Sequence, residues 1–325
     1  MPWMVILTQL VLPLSLLLWL ALCPATGWLR ALQLISVASI LLGIAFTALW
    51  TLPPFWVPYV YALLFVLITV SQLIKNYRSA KDLRRTSTAN ALTTLLVAGL
   101  GILGGYLSYQ ALQGYGFPEE DIVDIAPPFT AGHYLVAHGG ASEIINAHLK
   151  TLDRSVERYL PWRGQSKAID IFRITPLGLH KDGWQPIDPA RYTSFGTPVV
   201  APCNGRIASV VDGIKNMPVP EMDREHMAGN YIAIDCGEFY IFLAHLHPGS
   251  IVISTGQRVE TGDPLAQMGN SGNSSEPHLH VHAQRGLPED SPLAGEPLWL
   301  TINGRFLLRN SRLQVAQDDV LIHQN

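Results

Sequence analysis

The sequence predicts a multi-domain chain: an N-terminal all-α transmembrane bundle of four spans, then a mainly-β domain. Three observations predict it. Charged residues make up 14% of the 325 positions, where about 25% is usual for soluble domains. The shortfall sits at one end, because residues 1–29 and 31–74 contain no Asp, Glu, Lys or Arg. After residue 130 the apolar and β-branched residues fall in short runs separated by pairs such as Asn204-Gly205, Asp212-Gly213 and Gly272-Asn273, the pattern of strands and tight turns.

The hydrocarbon core of a bilayer, about 30 Å thick, takes about 20 mostly apolar helical residues to cross. Four stretches qualify: 4–23, 30–51, 56–75 and 91–112, broken by Pro24 with Gly27, by Pro53-Pro54, and by the polar run 75–90. The first lacks the basic leader of a signal peptide and is read as a span. Lys and Arg mark the cytoplasmic side of short loops. The 75–90 run holds five of them, Lys75, Arg78, Lys81, Arg84 and Arg85, and Arg30 sits between the first two spans. Both connections are therefore expected inside, the uncharged Pro53-Pro54 connection outside, and everything after about 113 on the extracytoplasmic side of a cell membrane. No Asp, Glu, Lys or His lies deep in a span, which argues against an ion or proton pathway and leaves anchoring as the simplest role. Gly99, Gly101, Gly104 and Gly105 form a candidate packing face.

Residues 1–112 carry six basic residues against Asp82 alone, net +5, while the remainder carries 16 basic and 24 acidic residues, net −8. An acidic outer half repels phosphate, so nucleic acid is excluded as a partner. Residues 113–130, with two glycines, three prolines and an acidic run, read as a linker, and 131–325 as the outer domain. Strands are expected at His133–His138, Ala168–Ile174, Thr197–Ala201, Arg206–Val211, Asn230–Asp235, Phe239–Leu246 and His278–Gln284, and one helix at Ile144–Arg158. Cys203 and Cys236 fall where oxidation is permitted; spacing alone leaves a disulfide and two free thiols equally open.

The chemistry lies in the histidines, eleven in all. In a strand, residues i, i+2 and i+4 share one face about 7 Å apart, so His278, His280 and His282 of the run PHLHVH project together. Alternating imidazoles can bind a metal with one ring and face the reacting water with its neighbour.

The stretches FGTPVVAPCNGRIASV (195–210), GNYIAIDCG (229–237) and FLAHLHPGSIVISTGQRVETGDPLAQMGNSGNSSEPHLHVHAQ (242–284) resemble the catalytic domain of lysostaphin-type (LytM-like) zinc metallopeptidases, over residues 165–285. The resemblance implies that fold, one Zn2+ per chain, His280 as a zinc ligand, and His245 and His278 as catalytic histidines. It implies Asp170 as a second ligand. Four residues before Asp170, where the family carries its histidine, stands Ser166, a poor zinc donor. An upstream Asn-x-His, here Asn146-Ala147-His148, supplies that ligand in one branch of the family. His148 is thus the third candidate, with Gln165 in support and His138 and His180 as weaker alternatives. His247 and His282 are extra, and Ile214–Gly229 reads as a loop at the cleft rim. The implied function is a membrane-anchored zinc endopeptidase acting on peptidoglycan or another extracytoplasmic peptide. Two alternatives stand beside it: a metal-free LytM-like domain that regulates wall hydrolases, and a membrane protein for which the outer domain is a sensor.

Overall fold

The computed structural model describes residues 2–78, 86–119 and 121–316. The chain divides into two compact units, Met1–Gln113 and Gly114–Asn325. In the first, four helices are long and apolar enough to cross a membrane: Trp3–Leu22, Trp28–Thr47, Val57–Lys75 and Thr88–Gln113. The second stops at Thr47 with Ala48 extended, short of the expected 51. Arg30 lies in the first turn of that helix rather than in the connection before it; it is buried and its Nη2 donates to Gln72 Oε1 at 2.6 Å. Half of the expected glycine face is a packing face. A Cβ on Gly101 would stand 2.8 Å from Ser36 Cα and one on Gly104 2.6 Å from Ser39 O, whereas Gly99 and Gly105 face open space. Small residues on facing helices permit that close approach. Lys81, Arg84 and Arg85 of the basic run, with Asp82, lie outside the described residues.

The second unit is built on a sheet of eleven strands among the described residues. They are β1 (Ile122–Ile125), β2 (Gly132–His138), β3 (Ile169–Ile174), β5 (Gly205–Val211), β6 (Asn230–Asp235), β7 (Tyr240–Leu246), β8 (Arg258–Val259), β10 (Leu279–Arg285), β11 (Glu296–Ile302), β12 (Arg305–Phe306) and β13 (Arg312–Val315). A separate pair joins β4 (Pro198–Val200) to β9 (Pro264–Gln267). The main path runs β13-β2-β3-β10-β7-β6-β5-β8. β10 sits at its centre, antiparallel to β7 along one edge; on the other its first residues pair with β3 and its last with β11. The two-residue period then sorts its side chains. Leu279, Val281 and Ala283 enter the apolar core with Ile171, Ile232, Ile234, Ile241 and Leu243. His280, His282 and Gln284 take the opposite face, and they too are buried.

That second face is covered by the segment read as an α-helix over Ile144–Arg158. It is instead two 3-10 stretches, Ala147–Leu152 and Glu157–Lys167. Short polar side chains compete for the local backbone: Asn146 accepts from the His148 amide, and Asp153 accepts from the Ser155 amide and hydroxyl, breaking the run between them. Residues 113–130, read as a linker, include β1, which pairs in parallel with β11. Its four residues IVDI are too few to show a period among acidic and proline neighbours. β8, β9, β11, β12 and β13 were likewise not expected from the sequence. Cys203 and Cys236 are joined in a disulfide.

Candidate active site and metal centre

Asp170 and His280 meet because β3 and β10 pair in antiparallel register with these two residues opposite one another. His280 Nδ1 lies 2.9 Å from Asp170 Oδ1, and His148 Nε2 lies 3.5 Å from Asp170 Oδ2. One ligand atom from each of the three residues falls within 4.8 Å of the other two. His148 reaches them from the first 3-10 stretch, 18 residues ahead of Ser166 in the sequence. Ser166 itself is fully buried, its Oγ 2.7 Å from Thr151 Oγ1 and donating to Arg163 O. It ties the two 3-10 stretches together and carries no donor into the cluster.

The hydrogen bonds around the cluster decide where its protons sit. The Asn146 amide donates to Gly140 O and Ala168 O, so its Oδ1 can only accept, and at 3.0 Å from His148 Nδ1 it requires the proton there. That leaves His148 Nε2 as a bare lone pair aimed at Asp170. Burial pushes the His148 ring down to about 3, so the ring is neutral at physiological pH. Burial tends to raise the Asp170 carboxyl, but neighbouring His278, through its charge and its hydrogen bond, outweighs it and holds the group well below 3.8. A neutral imidazole lone pair and an ionised carboxylate thus converge on one small, largely buried space, an arrangement that repels itself unless a cation stands between them. Two His and one Asp with an open fourth position is the donor set of a catalytic zinc site, and the residues fit that ion.

His245 and His278 stand next to the cluster, with ring centroids 4.8 Å apart. His245 occupies the end of β7 in a left-handed conformation, φ 63°, a strained geometry for a side-chain-bearing residue. The turn at 269–272 holds it, since His245 Nδ1 donates to Ser271 O at 2.8 Å. Gly229 (φ +60°) and Gly272 (φ +77°) press together behind that turn, where a Cβ on Gly229 would be 2.4 Å from the Ser271 carbonyl carbon. His278 Nδ1 donates to Glu276 O at 2.7 Å, and its Nε2 is 3.4 Å from Asp170 Oδ1. Burial, together with neighbouring His278, drives His245 well below 6.5. Burial also works to lower His278, but the Asp170 charge overcomes it and raises the ring. The two adjacent histidines are thereby pushed in opposite directions, His245 toward the neutral ring with a bare Nε2 and His278 toward the protonated one.

The other expected residues are not among the three whose ligand atoms converge. His138 accepts from the Ala147 amide and from Arg309, and packs edge-on against His148 with centroids 5.5 Å apart. His180 binds Glu276 Oε2 at 2.6 Å. His247 accepts from Asn216 Nδ2 at 2.7 Å. Gln165 is half-buried in the second 3-10 stretch. His282 Nδ1 stands 3.1 Å from His280 Nε2, behind the cluster. Residues 214–229 are a loop tied to the 269–272 turn through Met217 and Asn270. Ser271 and Glu276, the carbonyl acceptors that orient the two histidines, carry no signal in their side chains and were not singled out in the sequence.

Residues 188–292 match Peptidase family M23, so the outer unit carries a LytM-like M23 domain. That interval contains His245, His278 and His280, and begins after His148 and Asp170. The chain is 30% identical over 178 residues to the peptidoglycan DD-endopeptidase ShyA of Vibrio cholerae, covering 54% of this chain and 38% of ShyA. It is 32% identical over 152 residues to an uncharacterized metalloprotease of Haemophilus influenzae, covering 46% of this chain and 29% of that protein. The chain thus spans well under half the length of the curated relatives it matches. Among solved structures, the catalytic domain of lysostaphin from Staphylococcus simulans is 20% identical with a TM-score of 0.26, covering 38% of this chain and 71% of that one.

Proposed function

We propose that this chain is a membrane-anchored zinc metalloendopeptidase that hydrolyses peptide bonds of peptidoglycan on the extracytoplasmic side of the cell membrane. The observation that carries the reading is the convergence of His148 Nε2, Asp170 and His280 Nδ1 on one space, beside two further histidines. His148, Asp170 and His280 would hold the zinc. When bound, zinc supplies Lewis acidity toward a scissile carbonyl and an attacking water. His245, neutral and with Nε2 free, is placed to take the proton from that water. His278, which the Asp170 charge pushes toward its protonated form, is placed to donate to the developing oxyanion or to the departing amine. The β10 face and its 3-10 cover exclude bulk water from the ligand side, which strengthens these charge interactions.

Peptidoglycan as substrate rests on the similarity to a DD-endopeptidase. The extracytoplasmic placement rests on the basic run at 75–90. The Cys203–Cys236 disulfide, a bond that persists in oxidising compartments, also supports it. The test is to incubate the full-length chain, purified in detergent, with cross-linked muropeptide dimers and to follow the products by mass spectrometry. Cleavage that a chelator abolishes and zinc restores is the expected result. A chain that neither retains zinc nor cleaves any cross-link would instead favour the regulatory reading.

A further inference from the structure

His180 is a buried histidine that the proposed chemistry does not use. It is 1% exposed and is not one of the three residues whose ligand atoms converge. It lies in the segment between β3 and β4, which closes on itself: the Asp182 amide donates to Arg191 O and the Thr193 amide to His180 O, both at 2.9 Å. The backbone that carries the ring is thereby fixed. His180 Nε2 donates to Glu276 Oε2 at 2.6 Å, since a carboxylate oxygen only accepts. Its Nδ1 is buried and has no partner among the described residues. A buried ring nitrogen without a partner costs stability that an apolar side chain in the same place would not. What the imidazole adds in return is the bond to Glu276.

Glu276 is also the residue whose carbonyl faces His278 Nδ1, at 2.7 Å. That carbonyl belongs to the peptide joining Glu276 to Pro277. Proline has no N–H, so this peptide cannot be secured through its own amide. One side of the turn is held by Ser274, whose Oγ stands 2.9 Å from the Glu276 carbonyl and 2.7 Å from Asn270 Oδ1. The Glu276 carboxylate holds the other: His180 grips Oε2, and Lys181 Nζ lies 3.4 Å from the same oxygen. Phe172 of β3 packs against both rings, its centroid 5.1 Å from that of His180 and 5.9 Å from that of His278.

We infer that His180, acting through Glu276, is a positioning residue for His278. It pins the Glu276 side chain and with it the carbonyl that fixes the rotation of the His278 ring, and so the direction in which His278 Nε2 points. A reacting group turned slightly away from its line loses much of its effect. The neighbouring histidine is oriented by a carbonyl as well, Ser271 O on His245, but there the turn is braced by the close packing of Gly229 against Ser271. Glu276, directly ahead of a proline, is braced through its side chain instead.

The purpose of this bond rests on the peptidase reading, but the position of the ring can be read without turnover. The experiment takes the full-length chain in detergent and measures kcat and KM on cross-linked muropeptide dimers, zinc per chain, and the ring 13Cε1–1H signal of His278, assigned with His278→Gln. His180→Leu removes the donor and keeps an apolar side chain in its place. Glu276→Ala removes the acceptor from a side chain that is 27% exposed, so no buried hole is left. Each should lower kcat about 10–100-fold with KM and zinc content kept. The double variant should lose no more than either single one, because both remove the same link. His180→Gln, whose amide nitrogen reaches about as far as the imidazole Nε2, should recover most of the loss. The His278 signal, single in the parent, should broaden or split in His180→Leu and in Glu276→Ala. A folded His180→Leu with parental kcat overturns the inference, as do additive losses in the double variant, a His180→Gln as slow as His180→Leu, and loss of zinc along with turnover. If the parent cleaves no cross-link, the peptidase reading falls and the His278 signal decides alone: broadened or split in both variants it upholds the positioning role, and unchanged it overturns it.

Discussion

Both units bury polar side chains, and they do so to opposite ends. In the helical unit the buried polar atoms are turned onto backbone carbonyls. Thr94 Oγ1 donates to Asn90 O, Ser108 Oγ to Gly104 O, and Gln72 Nε2 to Leu20 O. In the outer unit the half-buried His148 and the buried Asp170 turn acceptors toward one another, with His280 Nδ1 2.9 Å from the same carboxylate. A polar atom spent on a carbonyl makes packing possible in an apolar setting. A set of acceptors facing one another makes sense only around a cation. The helical unit has exceptions: Gln9 Oε1, Asn90 Oδ1 and Arg30 Nε and Nη1 have no hydrogen-bond partner among the described residues; Arg30 presents donors, and its third nitrogen is held by Gln72.

The comparison breaks first at Asp170. Asp170→Ala leaves two neutral rings and no carboxylate, so zinc affinity should fall by more than about 10²-fold, above the range for losing an outer partner, and hydrolysis should vanish with it; equilibrium dialysis reads the first directly. A smaller loss is expected at the neighbouring histidines. His245→Ala and His278→Ala should each reduce turnover about 10²–10⁴-fold while zinc content stays stoichiometric, and loss of metal in either would make that residue a ligand instead. In the helical unit, Gly104→Leu places side-chain atoms where a Cβ alone meets Ser39 O at 2.6 Å. Its expected cost is about 1–3 kcal/mol of helix packing, visible as a lower melting temperature in detergent with the zinc content unchanged.

The smallest effect is electrostatic. Burial works to raise the Glu276 carboxyl, but His180 and Lys181 outweigh it, and the group is held below 4.5. Because the folded value is depressed, the contribution is fully present above pH 4.5 and is lost as pH falls through the lowered folded value. With the side chain 27% exposed, the contribution is on the order of 1 kcal/mol. Glu276→Gln should therefore destabilise at neutral pH and become indistinguishable from the parent in strong acid, measured by denaturant melts across that range.

What the sequence made legible follows from periodicity. β10 announces itself because its two faces differ in chemistry at a period of two, and the run PHLHVH already puts three imidazoles on one side. Asp170, with Arg173 one of two charges in the otherwise apolar β3, came forward through resemblance, as the aspartate of the family motif. The four spans are legible because lipid demands long uncharged runs. The cover over the cluster was not, since a 3-10 stretch has no amphipathic period to detect and its course is set by Asn146 and Asp153 bonding to their own backbone. His148 came forward only through resemblance, because nothing in residues 139–148 says which ring will return to β3.

The central claim is that His148 closes the metal centre at the place Ser166 leaves empty. The direct measurement is zinc per chain, by elemental mass spectrometry after exhaustive dialysis, on the full-length parent, His148→Ala, His138→Ala and Ser166→Ala. The account predicts one zinc in the parent, in His138→Ala and in Ser166→Ala, and clearly less than one in His148→Ala. A full equivalent of zinc retained by His148→Ala would contradict it.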